Sequence, residues 1–280
     1  MLSKKRTINT NILLVLIFTA ALLYCYWPTL SGLVKVWYSS EDYSHGFFII
    51  PVCAYIAWTK RKELFEIKPE PTAWGLIISI LSLLVYVISK YAGIATLASV
   101  SIVSFVAGGI LFLFGFETLK VLAFPVFFLL FMIPIPSQLY SALTIPLQLF
   151  VSKISVYGAQ ILQVTVYREG NVIYLPGYTM QVVQACSGLR SMISLLTLSF
   201  VFSYLAMRSN LLRSILFVSG IPIAIFVNVV RVLLTILVYY YFQYNLAEGS
   251  VHTFFGIGIF VFALVLLYGV KGVLSIWEKD

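Results

Sequence analysis

The chain has 280 residues, of which 61% are hydrophobic and only 10% are charged, and its mean hydropathy is +1.01. A soluble domain contains about 25% charged residues, so this composition excludes a sizeable soluble domain and predicts a polytopic membrane protein. The net charge of +8 does not indicate nucleic-acid binding, because basic residues in such a protein first mark the cytoplasmic loops.

Apolar stretches predict eight transmembrane helices within one integral-membrane domain, residues 1–280. The predicted spans are residues 11–27, 44–58, 74–91, 94–114, 119–133, 187–207, 214–241 and 252–270. The first resembles a signal peptide, but its apolar run exceeds the ~7–15 residues of such a segment, so we expect it to remain as a span. Residues 28–44, which are polar and aromatic, are predicted to form an outer loop.

Residues 139–164 are apolar but contain Pro146 and several polar side chains, which favours an interfacial or re-entrant helix over a clean span. Three β-branched and aromatic runs follow, separated by the turn sequences Arg-Glu-Gly-Asn and Pro-Gly. These runs are residues 164–167, 172–175 and 178–185. The predicted fold is therefore an all-α polytopic membrane protein with an interfacial helix and a small extracytoplasmic β-meander.

Basic residues predict the orientation of these spans. With the N-terminus inside, twelve of the eighteen basic residues lie on the cytoplasmic side: Lys4, Lys5, Arg6, Lys60, Arg61, Lys62, Lys68, Lys120, Arg208, Arg213, Lys271 and Lys279. This bias predicts that both termini are cytoplasmic and that the sixth and eighth spans begin at the outer face.

Cys186 is the cysteine that stands out among three. Cys25 and Cys53 lie inside apolar runs and are expected to be packing residues, whereas Cys186 directly precedes a long apolar helix. The N-terminal end of a helix favours a thiolate, and Arg190, four residues later, would strengthen that effect. The ordinary alternative is an inert thiol that packs at a helix end.

Two further residues fall on the same predicted side of the membrane. His252 begins the eighth span, and Arg231 lies inside the seventh with Asn228 three residues before it. An ionisable residue within a span is costly and indicates a functional site. Cys186 could attack a carbonyl, His252 could take the thiol proton, and Arg231 could stabilise the oxyanion. Alternatively, His252 is a loop histidine, and Arg231 pairs with a lipid phosphate or a backbone carbonyl.

His45 lies in the sequence Tyr-Ser-His-Gly and is also predicted to be outside. Its acidic neighbours Glu41 and Asp42 are too few for a metal site, so we expect no metal and no other cofactor. A substrate-contacting or supporting role for His45 is the simpler interpretation.

At these positions the chain resembles the exosortase/archaeosortase family of membrane cysteine transpeptidases. The resemblance lies in Ala-Cys-Ser-Gly-Leu-Arg-Ser at 185–191, Asn-Val-Val-Arg-Val at 228–232, His252 with Gly256, and the segments 43–47, 131–136 and 168–171. It implies that Cys186, Arg231 and His252 are catalytic. Binding or supporting roles would fall to Arg190, Asn228, Ser187 and His45.

The resemblance also implies a substrate and a location. The substrates would be secreted proteins with a C-terminal sorting signal, which comprises a Pro-Glu-Pro-type motif, a transmembrane helix and a basic tail. Cleavage near the motif would pass the new C-terminus to water, an amine, a lipid or a glycan, beside exopolysaccharide assembly machinery. The implied location is the bacterial inner membrane with the site at its periplasmic face, in contact with membrane lipid and without nucleic acid.

Two other classes of protein would use these residues without thiol chemistry. A transporter would bind an anionic substrate at Arg231 and Asn228 in mid-membrane, although such folds have repeat symmetry that this sequence lacks. A scaffold subunit of exopolysaccharide export would need no reactive cysteine.

Overall fold

The computed structural model describes residues 2–40, 42–181, 188–246 and 249–278. The chain divides into two compact units, Met1–Pro136 and Ser137–Asp280. Among the described residues, six helices are long and apolar enough to cross a membrane, and three shorter apolar helices accompany them. One small antiparallel sheet completes the fold. The prediction of an all-α polytopic membrane protein with a small β-meander is therefore confirmed.

The regular elements described in the first unit are all helices. Its elements are α1 (Leu2–Ser39), α2 (Gly46–Thr59), α3 (Arg61–Glu66), α4 (Ala73–Tyr91), α5 (Ala95–Phe114), α6 (Phe116–Val121), α7 (Ala123–Phe128) and a 3-10 turn, Leu129–Met132. The span predicted at 119–133 is divided between α6, α7 and the 3-10 turn. The break between α6 and α7 lies at Leu122, three residues before Pro125, which has no N–H to bond to the preceding turn.

The loop predicted at 28–44 is wrong over most of its length, because α1 continues through Pro28 to Ser39. Tyr26, Leu33 and Trp37 are buried along one side of this helix. The burial of these large side chains explains why helix persists past a proline, which by itself costs about 3 kcal/mol in a helix interior.

The described residues of the second unit form the sheet and four helices. Its elements are α8 (Ser137–Ile161), β1 (Tyr167–Glu169), β2 (Val172–Leu175), β3 (Tyr178–Gln181), α9 (Gly188–Ala206), α10 (Asn210–Phe242) and α11 (Gly249–Ser275). The stretch expected to be interfacial or re-entrant is one continuous helix, α8, with Pro146 inside it. By length and composition α8 is among the six helices that could cross a membrane.

The sheet has the order β1-β2-β3 with antiparallel pairing throughout. The predicted first strand, 164–167, lies too early in the chain, because Glu169 pairs with Val172 across a two-residue turn. Gly170 occupies that turn at φ +62°, a conformation that glycine adopts without strain. Of the four residues 168–171 that were predicted to form a turn, the first two belong to β1 and the last two form the turn.

The sheet is anchored to the helices by an apolar core. Ile173 and Met180 of the sheet are buried together with Val151 of α8 and Val232 and Ile236 of α10. This core fixes the position of the sheet on the half of α10 that follows Arg231.

The end of the second unit is held at the start of α10. The Glu278 carboxylate accepts hydrogen bonds from the backbone N–H groups of Arg208 and Ser209. These two hydrogen bonds lower the pKa of Glu278. The last turns of α9 and α11 are thereby brought together, so both helices begin at the other end of the unit.

Candidate functional site

The candidate site is built on a buried polar stripe of α10. Asn228, Arg231 and Thr235 occupy positions i, i+3 and i+7 and are only 7%, 5% and 3% exposed. The Thr235 hydroxyl donates to the carbonyl of Arg231 at 2.9 Å, within the helix itself. Removing a cation from water is expensive unless hydrogen bonds and charges compensate it, so the contacts of Arg231 define what the site can do.

Arg231 and His252, which are 21 residues apart in sequence, are brought together by the packing of α10 against α11. The guanidinium Nη2 lies 3.3 Å from the imidazole Nε2. A Cβ added at Gly256, one turn after His252, would lie 3.6 Å from the same Nη2. The guanidinium therefore rests on the face of α11 formed by His252 and Gly256, where a Cβ at position 256 would be in ordinary van der Waals contact with it.

These contacts assign the tautomer of His252. A guanidinium has donors and no acceptor, so Nε2 must accept from Arg231 through its lone pair. The other ring nitrogen, Nδ1, lies 3.3 Å from the carbonyl oxygen of Leu246, and a carbonyl can only accept. The network is satisfied by a neutral imidazole with its proton on Nδ1 and its lone pair on Nε2, which is the form of a general base.

Asn228 contributes an unused hydrogen-bond acceptor one turn from Arg231. Its Oδ1 atom is buried and has no hydrogen-bond partner among the described residues. A buried polar atom without a partner costs roughly 1–3 kcal/mol. The stripe thus carries a polar group that a bound molecule could satisfy.

Two of the predicted site residues, Cys186 and Ser187, lie outside the described residues. Arg190 belongs to the first turn of α9, which begins at Gly188, two residues after Cys186. Leu195 of α9 is buried in one core with Val227 of α10 and Ile259 of α11. The helix that follows Cys186 therefore packs against both helices that carry Arg231 and His252.

His45 lies in the first unit, where it belongs to a set of hydrogen bonds to the segment 131–136. Its Nε2 lies 3.3 Å from the Phe131 carbonyl oxygen, and the indole of Trp37 donates to the Met132 carbonyl at 2.9 Å. The Tyr43 hydroxyl accepts from the N–H of Ile135 at 3.2 Å. These contacts join His45 and its neighbours to the segment 131–136 of the same unit.

The two other cysteines differ in their surroundings. Cys53 is buried, and its thiol donates to the Pro125 carbonyl at 3.2 Å, as expected of a packing residue. Cys25 is half-buried in α1.

The contact between the Leu246 carbonyl and the His252 ring is not predicted from the sequence. Every residue has such a carbonyl, so the sequence contains no signal for this contact. The packing role of Gly256 could be suspected from its position one turn after His252.

A family model described as transmembrane exosortase matches residues 37–269. No curated protein and no solved structure matches the chain. The matched range includes Cys186, Arg231 and His252, together with His45 in the first unit.

Proposed function

The chain belongs to the transmembrane exosortase family, and on this basis we propose that it is a membrane-embedded cysteine peptidase or transpeptidase. The observation that carries the proposal is the contact between Arg231 Nη2 and His252 Nε2 at 3.3 Å, made by two side chains inside a membrane protein. A cation and a neutral base in contact are the two partners that a nucleophilic thiol needs for acyl transfer.

In the free enzyme the side chains of His252 and Arg231 are hydrogen-bonded to each other. Nε2 of His252 accepts from the guanidinium, and the Nδ1 contact with Leu246 fixes the ring orientation. When a substrate carbonyl binds, Arg231 would turn N–H donors towards its oxygen. That movement releases the Nε2 lone pair, so substrate binding and activation of the base are one event.

In the first half-reaction the Cys186 sulfur attacks the carbonyl carbon while the thiol proton passes to Nε2 of His252. Arg231 stabilises the negative charge that develops on the carbonyl oxygen, which is worth most in a site shielded from water. The C–N bond then breaks, and the leaving amine takes the proton from Nε2. The product is a thioester on Cys186.

The second half-reaction releases the substrate's new C-terminus. An acceptor with an N–H or O–H group attacks the thioester carbon and gives its proton to Nε2. The C–S bond breaks and the thiolate recovers the proton. Water as the acceptor gives proteolysis, whereas an amine, a lipid or a glycan hydroxyl gives transpeptidation or ligation.

The proposed substrates are secreted proteins with a C-terminal Pro-Glu-Pro-type motif, a transmembrane helix and a basic tail. We place the enzyme in the bacterial inner membrane with both termini cytoplasmic and the site at the periplasmic face. This orientation is supported by the distribution of basic residues in the loops. The proposed partners are these substrates, membrane lipid and exopolysaccharide assembly machinery.

Co-expression with a substrate tests the proposal. We expect a reporter protein that carries such a sorting signal to lose its C-terminal transmembrane helix in cells that express the chain. The C-terminal mass of the processed reporter would identify the acceptor. A reporter that stays at full length, with the enzyme present in the membrane, would contradict the proposed activity and favour a transporter or scaffold.

Replacing Asn228 with leucine is expected to separate stability from activity. Leucine removes the buried Oδ1 atom, which has no hydrogen-bond partner among the described residues. The free energy of unfolding should therefore stay the same or rise by about 1 kcal/mol. The same change should lower kcat/KM roughly tenfold if Oδ1 accepts from the substrate. Thermal unfolding in detergent and cleavage of a synthetic substrate measure the two effects.

Thr235→Val is the matched control for Asn228→Leu. It removes a buried polar group from the same stripe, but one whose hydrogen bond is made within α10. We expect it to lower stability slightly and to leave cleavage near the wild-type rate. If Asn228→Leu retained full activity, its amide would have no part in substrate binding.

A further inference from the structure

The register of the sheet determines which backbone groups of β3 point away from it. Leu175 pairs with Tyr178 across a two-residue turn, and Ile173 pairs with Met180. Residues next to a two-residue turn exchange both hydrogen bonds, and in antiparallel strands such pairs alternate with pairs that exchange none. Thr179 and Gln181 therefore direct their backbone N–H and C=O groups to the outer edge of β3.

The pairing between β1 and β2 agrees with this assignment. Val172 and Tyr174 pair with Glu169 and Tyr167, also beginning next to a two-residue turn. Val172 and Tyr174 thus bond to β1, which leaves the backbone groups of Ile173 and Leu175 for β3. Both turns give the same alternation.

The two edges of the sheet differ in their surroundings. The β1 side lies against α8, whose Gln160 side chain donates to the Val166 carbonyl and whose Ser152 hydroxyl donates to the Gly170 carbonyl. At the other edge, no described strand lies beside β3. Outward N–H and C=O groups on an edge strand are a template for another extended chain.

β3 is also fixed to the helix that carries Arg231. The Tyr178 ring stacks on Tyr239 of α10 with centroids 4.3 Å apart, and Met180 is buried in the core below the sheet. Cys186 follows the last residue of β3, Gln181, by only five positions. The edge strand is therefore packed against α10, and it lies shortly before Cys186 in the sequence.

We propose that the outer edge of β3 binds the substrate by strand addition, pairing Thr179 and Gln181 with the extended segment around the Pro-Glu-Pro-type motif. This inference rests on the proposed function. Pairing through the backbone would fix the substrate relative to Cys186 with little demand on its side chains, as in other cases of β-augmentation.

A Pro-Glu-Pro segment suits such an edge. Proline has no N–H, so a strand tolerates it only where the N–H would point away from the partner strand. Two prolines two residues apart lie on the same side of the alternation, and the Glu between them lies on the other. The Glu N–H and C=O would face β3, and both prolines would face away while favouring an extended backbone.

Changes to single backbone groups of a synthetic substrate test whether it pairs with β3 in this way. An ester in place of the amide N–H of the motif Glu removes one donor to β3, and we expect about three- to tenfold weaker binding. The control is an N-methyl group on the third residue beyond the Glu, two residues after the second proline. The N–H of that residue is directed away from β3 and every carbonyl is kept, so this change should alter binding less than twofold. Binding of labelled peptide to full-length Cys186→Ala enzyme in detergent provides the measurement.

A change in the enzyme provides the second arm. Thr179→Pro removes one outward N–H and leaves the hydrogen bonds to β2 intact, so we expect KM to rise about three- to tenfold with kcat nearly unchanged. Thr179→Ala keeps the N–H and loses only the side chain, so any rise in KM that it causes is subtracted from the rise measured for Thr179→Pro. Unchanged KM in Thr179→Pro, with wild-type stability, would contradict strand addition.

The two arms separate this inference from the proposed function. If the wild-type enzyme cleaves the all-amide peptide but the ester and the N-methyl group weaken binding equally, strand addition is wrong and the enzyme activity stands. If the peptide binds with the alternating pattern but is not cleaved, the edge is a binding site and the peptidase function is wrong. A peptide that does not bind overturns strand addition directly.

Discussion

Cys186→Ala is expected to abolish processing of a sorting-signal substrate, with a loss of at least about 10³-fold in kcat. The thiol forms the covalent bond to the substrate, so neither Arg231 nor His252 can replace it. The measurement is the fraction of reporter processed in cells at equal enzyme level, followed by kcat with purified enzyme.

Cys25→Ala is the matched control, because Cys25 is a half-buried thiol of α1 that takes no part in the proposed reaction. We expect it to process substrate at the wild-type rate. Normal processing by Cys186→Ala would show that Cys186 is not the nucleophile and that the reaction needs no thiol at this position.

Arg231→Lys is expected to lower kcat by about 10²- to 10³-fold, the loss found when an oxyanion donor is removed. Lysine keeps the charge but replaces a planar fork of five donors with a single ammonium, which cannot contact both His252 and a substrate oxygen in the same geometry. Single-turnover kinetics measure the effect on the chemical step.

Two controls accompany Arg231→Lys. Thermal unfolding shows whether the buried ammonium destabilises the protein, since Arg231 is only 5% exposed. Binding of substrate to a Cys186→Ala/Arg231→Lys enzyme should stay within a few-fold of Cys186→Ala, because the oxyanion forms only during the reaction. Wild-type turnover in Arg231→Lys would exclude an oxyanion role for the guanidinium.

The sequence was sufficient to predict those parts of the fold that depend on local signals. The composition predicts a polytopic membrane protein, and the Pro-Gly pair at 176–177 predicts the turn between β2 and β3. The extension of α1 through Pro28 was missed, because it depends on burial of Tyr26 and Trp37 against distant parts of the first unit. Such tertiary contacts override local preferences for loop or helix.

The candidate site was also only partly predictable from the sequence. The sequence predicts an arginine inside one span and a histidine at the start of another on the same side of the membrane, which indicates that they could meet. The structure places Arg231 and His252 in contact. Two features depend on geometry that no residue pattern encodes. They are the contact of His252 with the Leu246 carbonyl and the lack of a hydrogen-bond partner for Asn228 Oδ1 within the described part of the chain.

The most direct test of the central claim is to trap the thioester on Cys186. Full-length enzyme would be mixed with a synthetic sorting-signal peptide, quenched in acid, digested and analysed by mass spectrometry. We predict that the peptide fragment up to the cleavage site is attached to the segment that contains Cys186, and that Cys186→Ala lacks this adduct. Cleavage of the peptide with no adduct on Cys186 at any time, or with unchanged rate in Cys186→Ala, would contradict the account.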